Sequence, residues 1–269
     1  MKKKGLFKKT ILSTVLLATA GALLFSSCTK DSSNQNNSNT SAKVTMRLTD
    51  APADYDAVNI DIQKVEVTVE GSTAVTLTPV RAGIYNLLDF RNGIDTLLVQ
   101  ADLPVGKVGQ IRLVLGDSNS VVVNGQTHAL KTPSAQESGL KLNLHEELAA
   151  GGSYTFWIDF DAGKSIVETG NGKYNLKPVI RAYTALTNGK IKGTVLPQTA
   201  MTTVYASDGV NTYTAIPNAD GTFVFSGMPE GTYTITMDAA VALFTDVTLN
   251  NIKVTYGQET DLGVTTLIQ

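Results

Sequence analysis

From Lys43 onward the chain alternates between apolar and polar residues in the manner of half-buried strands, with turn signals at short intervals. Val44, Met46 and Leu48 fall on one face while Thr45 and Arg47 fall on the other. Val58, Ile60 and Ile62 share a face, but Val65, Val67 and Val69 have the opposite parity. One core can take both sets only if the strand gains a residue, which predicts a bulge near Gln63 and Lys64. The stretch SVVVNGQTHAL reads as a hairpin, because Asn124 and Gly125 suit the two positive-φ positions of a type I′ turn. Further strands are expected over 110–115, 140–144 and 154–160. No long helical period appears, although 145–150 is expected to form one short turn before Gly151 and Gly152.

A second strand-rich region follows ALTNGK at 185–190, where Asn188 and Gly189 break the pattern. Phe223 and Phe225 share one face there, Met228 to Gly231 turns, and Tyr233, Ile235 and Met237 share the next face. The fold class expected is therefore all-β, two tandem β-sandwich domains over 43–187 and 188–269. The second region resembles the carboxypeptidase-regulatory-like family of transthyretin-like sandwiches, on Gly193, Val195, the run Asp220 to Phe223, Pro229, Gly231 and Tyr233. That resemblance implies an accessory role in stability, spacing or contact. The first region carries MRLTDAPADYDAVNIDIQKVEV, YNLLDF and FWIDFDAGKSIVETGNGKYNLKPVIRAY. On these it resembles an uncharacterised domain-of-unknown-function family found in surface lipoproteins of Gram-negative anaerobes, which implies no particular activity.

The N-terminus has a different pattern. Five lysines within the first ten residues precede an apolar or small run from Ile11 to Phe25, the layout of a secretory signal. The run is shorter than the roughly 18 apolar residues of a spanning helix. Ser26, Ser27 and then Cys28 end it, and Cys28 is the only cysteine in the chain. This border resembles the lipobox of bacterial lipoproteins. The resemblance implies a diacylglycerol on the Cys28 thiol, cleavage after Ser27 and acylation of the new α-amine, with residues 1–27 as the signal peptide. A lone cysteine forms no internal disulfide, which fits lipid attachment better than an idle secreted thiol. Several acyl chains, each buried CH2 contributing about 0.8 kcal/mol, anchor stably where one does not.

Residues 29–42 carry no aromatic or branched aliphatic side chain, so they bury too little to offset their ordering entropy. With Cys28 they read as a disordered tether, with a random-coil span of roughly 20 Å and a reach of roughly 48 Å. The whole chain has a net charge of −2. Loss of residues 1–27 removes five lysines and no acid, so 17 basic residues face 24 acidic ones and the charge becomes −7. That balance argues against nucleic acid and anionic lipid surfaces as partners. Thr29 after the lipidated residue is unlike the Asp that holds many lipoproteins at the inner membrane, which points to the outer membrane. Lys30-Asp31 resembles the charged signals that send some lipoproteins to the outer face.

Candidate chemistry is sparse. Asp50, Asp54 and Asp56 lie in a Pro-containing loop pattern, and Asp159 and Asp161 share a strand face with Trp157. Converging carboxylates hold a hard cation or pair as acid and base. The alternative is that the first three solvate a loop while Asp159 and Asp161 cap turns or pair with Lys164 or Arg181. His128 and His145, the only histidines, sit in separate patterns without metal-ligand spacing. No G-x-S-x-G nucleophile turn occurs. Trp157 and the tyrosines suit either stacking on sugars or core packing. The expectation is a non-enzyme: no catalytic, cofactor or metal residues, and Cys28 as the lipid attachment site. Its partners would be a membrane through the lipid and a glycan or protein ligand. The alternatives are a structural subunit of an envelope assembly, pairing through a strand edge, and an Asp-based metal-dependent hydrolase.

Overall fold

The structure, a computed structural model, describes residues 40–132 and 139–269. Cys28 and most of the segment read as signal and tether lie outside the described residues. Strands dominate throughout. In order they are β1 (Ser41–Ala51), β2 (Ala57–Val69), β3 (Val75–Leu77), β4 (Gly83–Asn86), β5 (Thr96–Pro104), β6 (Gly106–Leu115) and β7 (Ser120–Val123). There follow β8 (Gln126–Lys131), β9 (Leu140–Leu148), β10 (Ser153–Asp161), the one-turn helix α1 (Ala162–Ser165), β11 (Ile166–Thr169), β12 (Lys173–Leu176) and β13 (Ile180–Thr184). The last group is β14 (Gly189–Leu196), β15 (Thr202–Ser207), β16 (Thr212–Ala215), β17 (Thr222–Met228), β18 (Gly231–Ala239), β19 (Val247–Val254) and β20 (Glu259–Thr266).

Two sandwiches result. In the first, a sheet ordered β13-β10-β1-β5 faces a larger one ordered β11-β12-β8-β7-β2-β6-β9, with β3 and β4 also pairing with β2. Between them lies one core that takes Val44, Met46 and Leu48 from β1 and both apolar sets of β2. The register of β2 against β6 slips between Ile62 and Lys64, which brings both parities into that core. The bulge sits where the reversal of pattern requires it. Asn124 at φ 50° and Gly125 at φ 74° form the β7–β8 turn.

The second sandwich packs β17-β14-β20 against β16-β15-β18-β19 around a separate core. Phe223 and Phe225 meet edge to face at 5.9 Å within it, with Tyr233, Ile235 and Met237 opposite. One expectation is corrected. Residues 145–148 continue β9 as strand, because Leu142, Leu144 and Leu148 keep an apolar face buried past His145, and the chain turns only at Ala150 and Gly151. A turn of α-helix forms instead at α1, where Asp161 Oδ1 accepts from the Lys164 amide at 2.9 Å and caps it; short 3-10 turns lie at Leu87–Phe90 and Gln198–Ala200.

Candidate functional site

β1 and β10 run parallel and side by side, with Thr49 opposite Asp159, Asp50 opposite Phe160 and Ala51 opposite Asp161. This pairing brings Asp50, Asp159 and Asp161 to one end of the first sandwich, next to the second sandwich. Asp159 and Asp161 follow Trp157 on one face of β10, and Asp159 pairs in register with Arg181 of the neighbouring β13. Asp50 has the parity of Val44, Met46 and Leu48, and it shares their burial at 5% exposed. The reading of Asp50 as a loop-solvating residue is thus corrected: β1 extends through it, and its Oδ1 accepts from the Ala162 amide at 3.0 Å. Asp54 is exposed, and Asp56 accepts from the Gly125 amide at 2.7 Å, closing the β7–β8 hairpin.

The three converging carboxylates have unlike environments. Asp159 is held by Arg181 at 2.6–2.7 Å, and Asp161 by Lys164 at 2.9 Å. Burial pushes the Asp159 carboxyl above the usual range, while the Arg181 guanidinium opposes the shift. Asp50 has no such partner. Burial raises it well above the ordinary carboxylate range; the Ala162 amide opposes this, the Asp159 and Asp161 charges add to it, and the Arg91 charge works against it. Its Oδ2 is shut off from solvent and makes no hydrogen bond.

Arg181 does more than neutralise Asp159. Its remaining donors reach the backbone carbonyls of Ser226 at 2.9 Å and Gly227 at 2.5 Å, both on β17 of the second sandwich. Its guanidinium also lies 4.9 Å from the centre of the Tyr213 ring. Two further side chains join the sandwiches. Lys164 Nζ donates to the Thr212 carbonyl at 2.9 Å. Asn92 Nδ2 donates to the Ile216 carbonyl and to Asn218 Oδ1. Within the second sandwich, Asn188 Nδ2 donates to the Gly227 carbonyl at 3.1 Å. Tyr183, stacked at 5.7 Å on Trp157, presses against Gly227, where an added Cβ would lie 2.4–2.7 Å from ring carbons. Trp157 Nε1 donates to Asp95, which also binds Arg47. Trp157 is thereby committed to packing and to a hydrogen bond within the protein.

Between these contacts is a cavity of about 480 Å3. Asp50, Asn92, Asp161, Lys164, Tyr213 and Val224 are among its walls. A smaller one of about 280 Å3 is lined by Trp157, Tyr183 and Gly227 among others. Among the described residues no three His, Cys, Asp or Glu side chains are grouped so as to hold a metal ion. His128 packs on Tyr174 at 4.9 Å, while His145 is on β9, four strands away in the same sheet, or about 19 Å at 4.8 Å per strand. Sequence reasoning found the aspartates but not Asn92 or Tyr213. The parity of Asp50 with Leu48 was the signal for its burial.

The family model described as Domain of unknown function (DUF4382) matches residues 41–178. The model of the ER membrane protein complex subunit 7 beta-sandwich domain matches residues 194–266. No curated protein matches the chain. Solved structures similar to it include the Bacillus anthracis TIE protein, at 10% identity and a TM-score of 0.24, covering 86% of this chain and 35% of that one. BcpA, the major pilin subunit of Bacillus cereus, has 11% identity and a TM-score of 0.23, with coverage of 84% and 69%. The pilus backbone RrgB from Streptococcus pneumoniae has 10% identity and a TM-score of 0.24, with coverage of 84% and 91%. The chain spans about a third of the length of the TIE protein.

Proposed function

The chain belongs to the DUF4382 family, a domain of unknown function, and from that premise we propose that it is a non-catalytic binding module tethered to the bacterial outer membrane by lipid on Cys28. The observation that carries the non-catalytic part is the commitment of the charged groups where the sandwiches meet. Asp159 and Arg181 satisfy each other, Arg181 spends its other donors on β17 carbonyls, and Asp161 is tied to Lys164 and to the cap of α1. A general acid or base needs a proton it can exchange with a substrate. Groups bound on every side hold a shape instead. A metal-dependent hydrolase would need several carboxylate oxygens free for one ion, and two of these three carboxylates already carry a cation from the protein.

The resemblance to carboxypeptidase-regulatory-like sandwiches supports the same reading, since a module of that kind spaces or contacts. The anchor rests on Ser26, Ser27 and Cys28 after an apolar run, and the tether would carry the sandwiches off the lipid surface toward a glycan or protein ligand. The test is to express Cys28→Ala with labelled palmitate. The wild type takes up label and sediments with outer membranes; the variant does neither. Labelling that persists in Cys28→Ala refutes the anchor. Protease added to intact cells then reports the side: loss of the sandwiches, with a periplasmic control intact, is the result expected for the outer face.

A further inference from the structure

One end of the second sandwich is apolar and open. Three segments close it: 196–201, where β14 gives way to β15, 239–245, between β18 and β19, and 264–269, at the end of β20 and beyond. Backbone hydrogen bonds tie them together, Val241 N to Ala200 O at 3.3 Å, Thr245 N to Ile268 O at 2.8 Å and Leu267 N to Leu196 O at 2.7 Å. Met201 is 68% exposed there, Leu243 61% and Ile268 68%, and none of the three segments holds Asp, Glu, Lys, Arg or His. Large apolar side chains exposed singly are ordinary, but a contiguous set marks a contact surface. Met201 is also held at φ 51° and ψ 50°, a left-handed conformation that residues with a side chain seldom adopt. The clamp to the first sandwich is at the other end of these strands. Met228, next to Gly227, pairs with Gly189 at the start of β14, and Thr212 pairs with Ser207 at the end of β15.

We propose that this end of the second sandwich rests on a lipid bilayer, a second point of membrane contact beside the lipid on Cys28. The inference rests on the anchoring part of the reading above and gives the second sandwich a task. The chain that precedes the described residues supplies the occupant. A lipidated Cys28 and a tether with a reach of roughly 48 Å keep the body, about 45 Å across for roughly 230 residues, within one body-length of the bilayer. Its apolar end therefore meets lipid at high effective concentration. The residue types select lipid over protein: interface hot spots are built on Trp, Tyr and Arg, and the three segments contain none of these. With no charged side chain, this end enters the headgroup layer without dehydrating a charge. Its loop amides are provided for as well. Those of Ala200, Met201, Val241, Phe244 and Thr245 donate to carbonyls of the protein, as amides that leave water must. The absence of a basic residue at the contact suits an uncharged surface such as phosphatidylcholine, since anionic headgroups are held through Lys and Arg. The first sandwich, clamped at the opposite end, stays clear of the bilayer for its own ligand.

The experiment uses the mature chain, residues 28–269, which contains every described residue, with Cys28→Ser so that an introduced cysteine is the only thiol. An environment-sensitive dye on Ala242→Cys should shift to the blue with phosphatidylcholine vesicles and be quenched when their chains are brominated. The same dye on Thr127→Cys, exposed on the first sandwich, should do neither. Met201→Asp combined with Leu243→Asp, both at exposed positions, should weaken vesicle binding at least tenfold with the melting curve unchanged. No shift at 242, equal shifts at 242 and 127, or undiminished binding in the double variant would overturn the proposal. So would binding that appears only when phosphatidylglycerol is added, which would mean adsorption by charge. A shift that grows with protein concentration in the absence of lipid would overturn it too, by assigning the surface to a second copy of the chain. This chain carries no lipid of its own, so the result is independent of palmitate labelling at Cys28, and failure of one is distinguishable from failure of the other.

Discussion

Replacing Gly227 by alanine puts a methyl group where the two sandwiches meet. Gly227 has φ +66°, a conformation that costs an L-residue about 1–2 kcal/mol. Its new Cβ would fall 2.5 Å from Cδ1 and 2.7 Å from Cζ of Tyr183. That ring cannot swing aside freely, being stacked nearly parallel on Trp157 with an interplanar angle of 9°. Overpacking of this kind adds about 1–3 kcal/mol, for a sum of about 2–5 kcal/mol. At about 2–4 °C per kcal/mol for a protein of this size, the melting temperature should fall by about 4–20 °C. Gly263 is the internal control. Its φ is +68°, but an added Cβ meets nothing within 4 Å, so Gly263→Ala carries the conformational cost alone. Calorimetry on both variants isolates the overlap with Tyr183 as their difference. If Gly227→Ala melts no lower than Gly263→Ala, the close approach of Tyr183 to β17 is absent. Tyr183→Ala combined with Gly227→Ala should recover the overlap part of the loss.

Three other outcomes are expected. Asp50→Asn mimics the neutral carboxyl; because the folded-state pKa is raised, the wild type has its full stability only below the unfolded value of about 3.9 and loses it as pH rises through the folded value. The melting temperature of Asp50→Asn should therefore gain on the wild type from about pH 4 upward, and a gap constant from pH 4 to 8 refutes this. Arg181→Met leaves Asp159 unpaired at 7% exposed and should cost about 3–5 kcal/mol in urea unfolding, partly restored by adding Asp159→Asn; a loss under 1 kcal/mol contradicts the clamp. Phe223→Ala, at a fully buried ring, should cost about 3–5 kcal/mol, and a melt matching the wild type would mean that the second core is wrongly placed.

Local signals in the sequence carried what local physics decides. The parity switch between Ile62 and Val65 has one cheap solution, an extra residue, and β2 adopts it. Asn124-Gly125 is read correctly because positive φ at two successive positions leaves few residue choices. The clamp is different. Arg181 and Gly227 are 46 residues apart, and nothing near either announces the other: an arginine on a strand and a glycine after a serine are both ordinary. Asp50 lies between these cases. Its parity continues that of Leu48, yet an acidic residue before Ala51-Pro52 reads as loop, since burying a carboxyl is expensive unless the surroundings compensate. Here the Ala162 amide compensates one oxygen only. Asn92 gave no signal, because its meaning depends on a carbonyl just past β16, 124 residues later.

β1 sits in the middle of its sheet, bonded along its length to β10 on one side and β5 on the other, and the chain enters it at Ser41. A mechanical load applied through the preceding residues therefore arrives at an interior strand. Peeling it off one bond at a time is not open to such a load, because β1 and β10 point the same way and both ladders flank the strand from Lys43 to Leu48. Force along the strand shears two rows of hydrogen bonds together and drags Val44, Met46 and Leu48 out of the core in the same stroke. A strand so placed is a grip against tension, of the kind wanted in a body that must stay folded while something pulls on it.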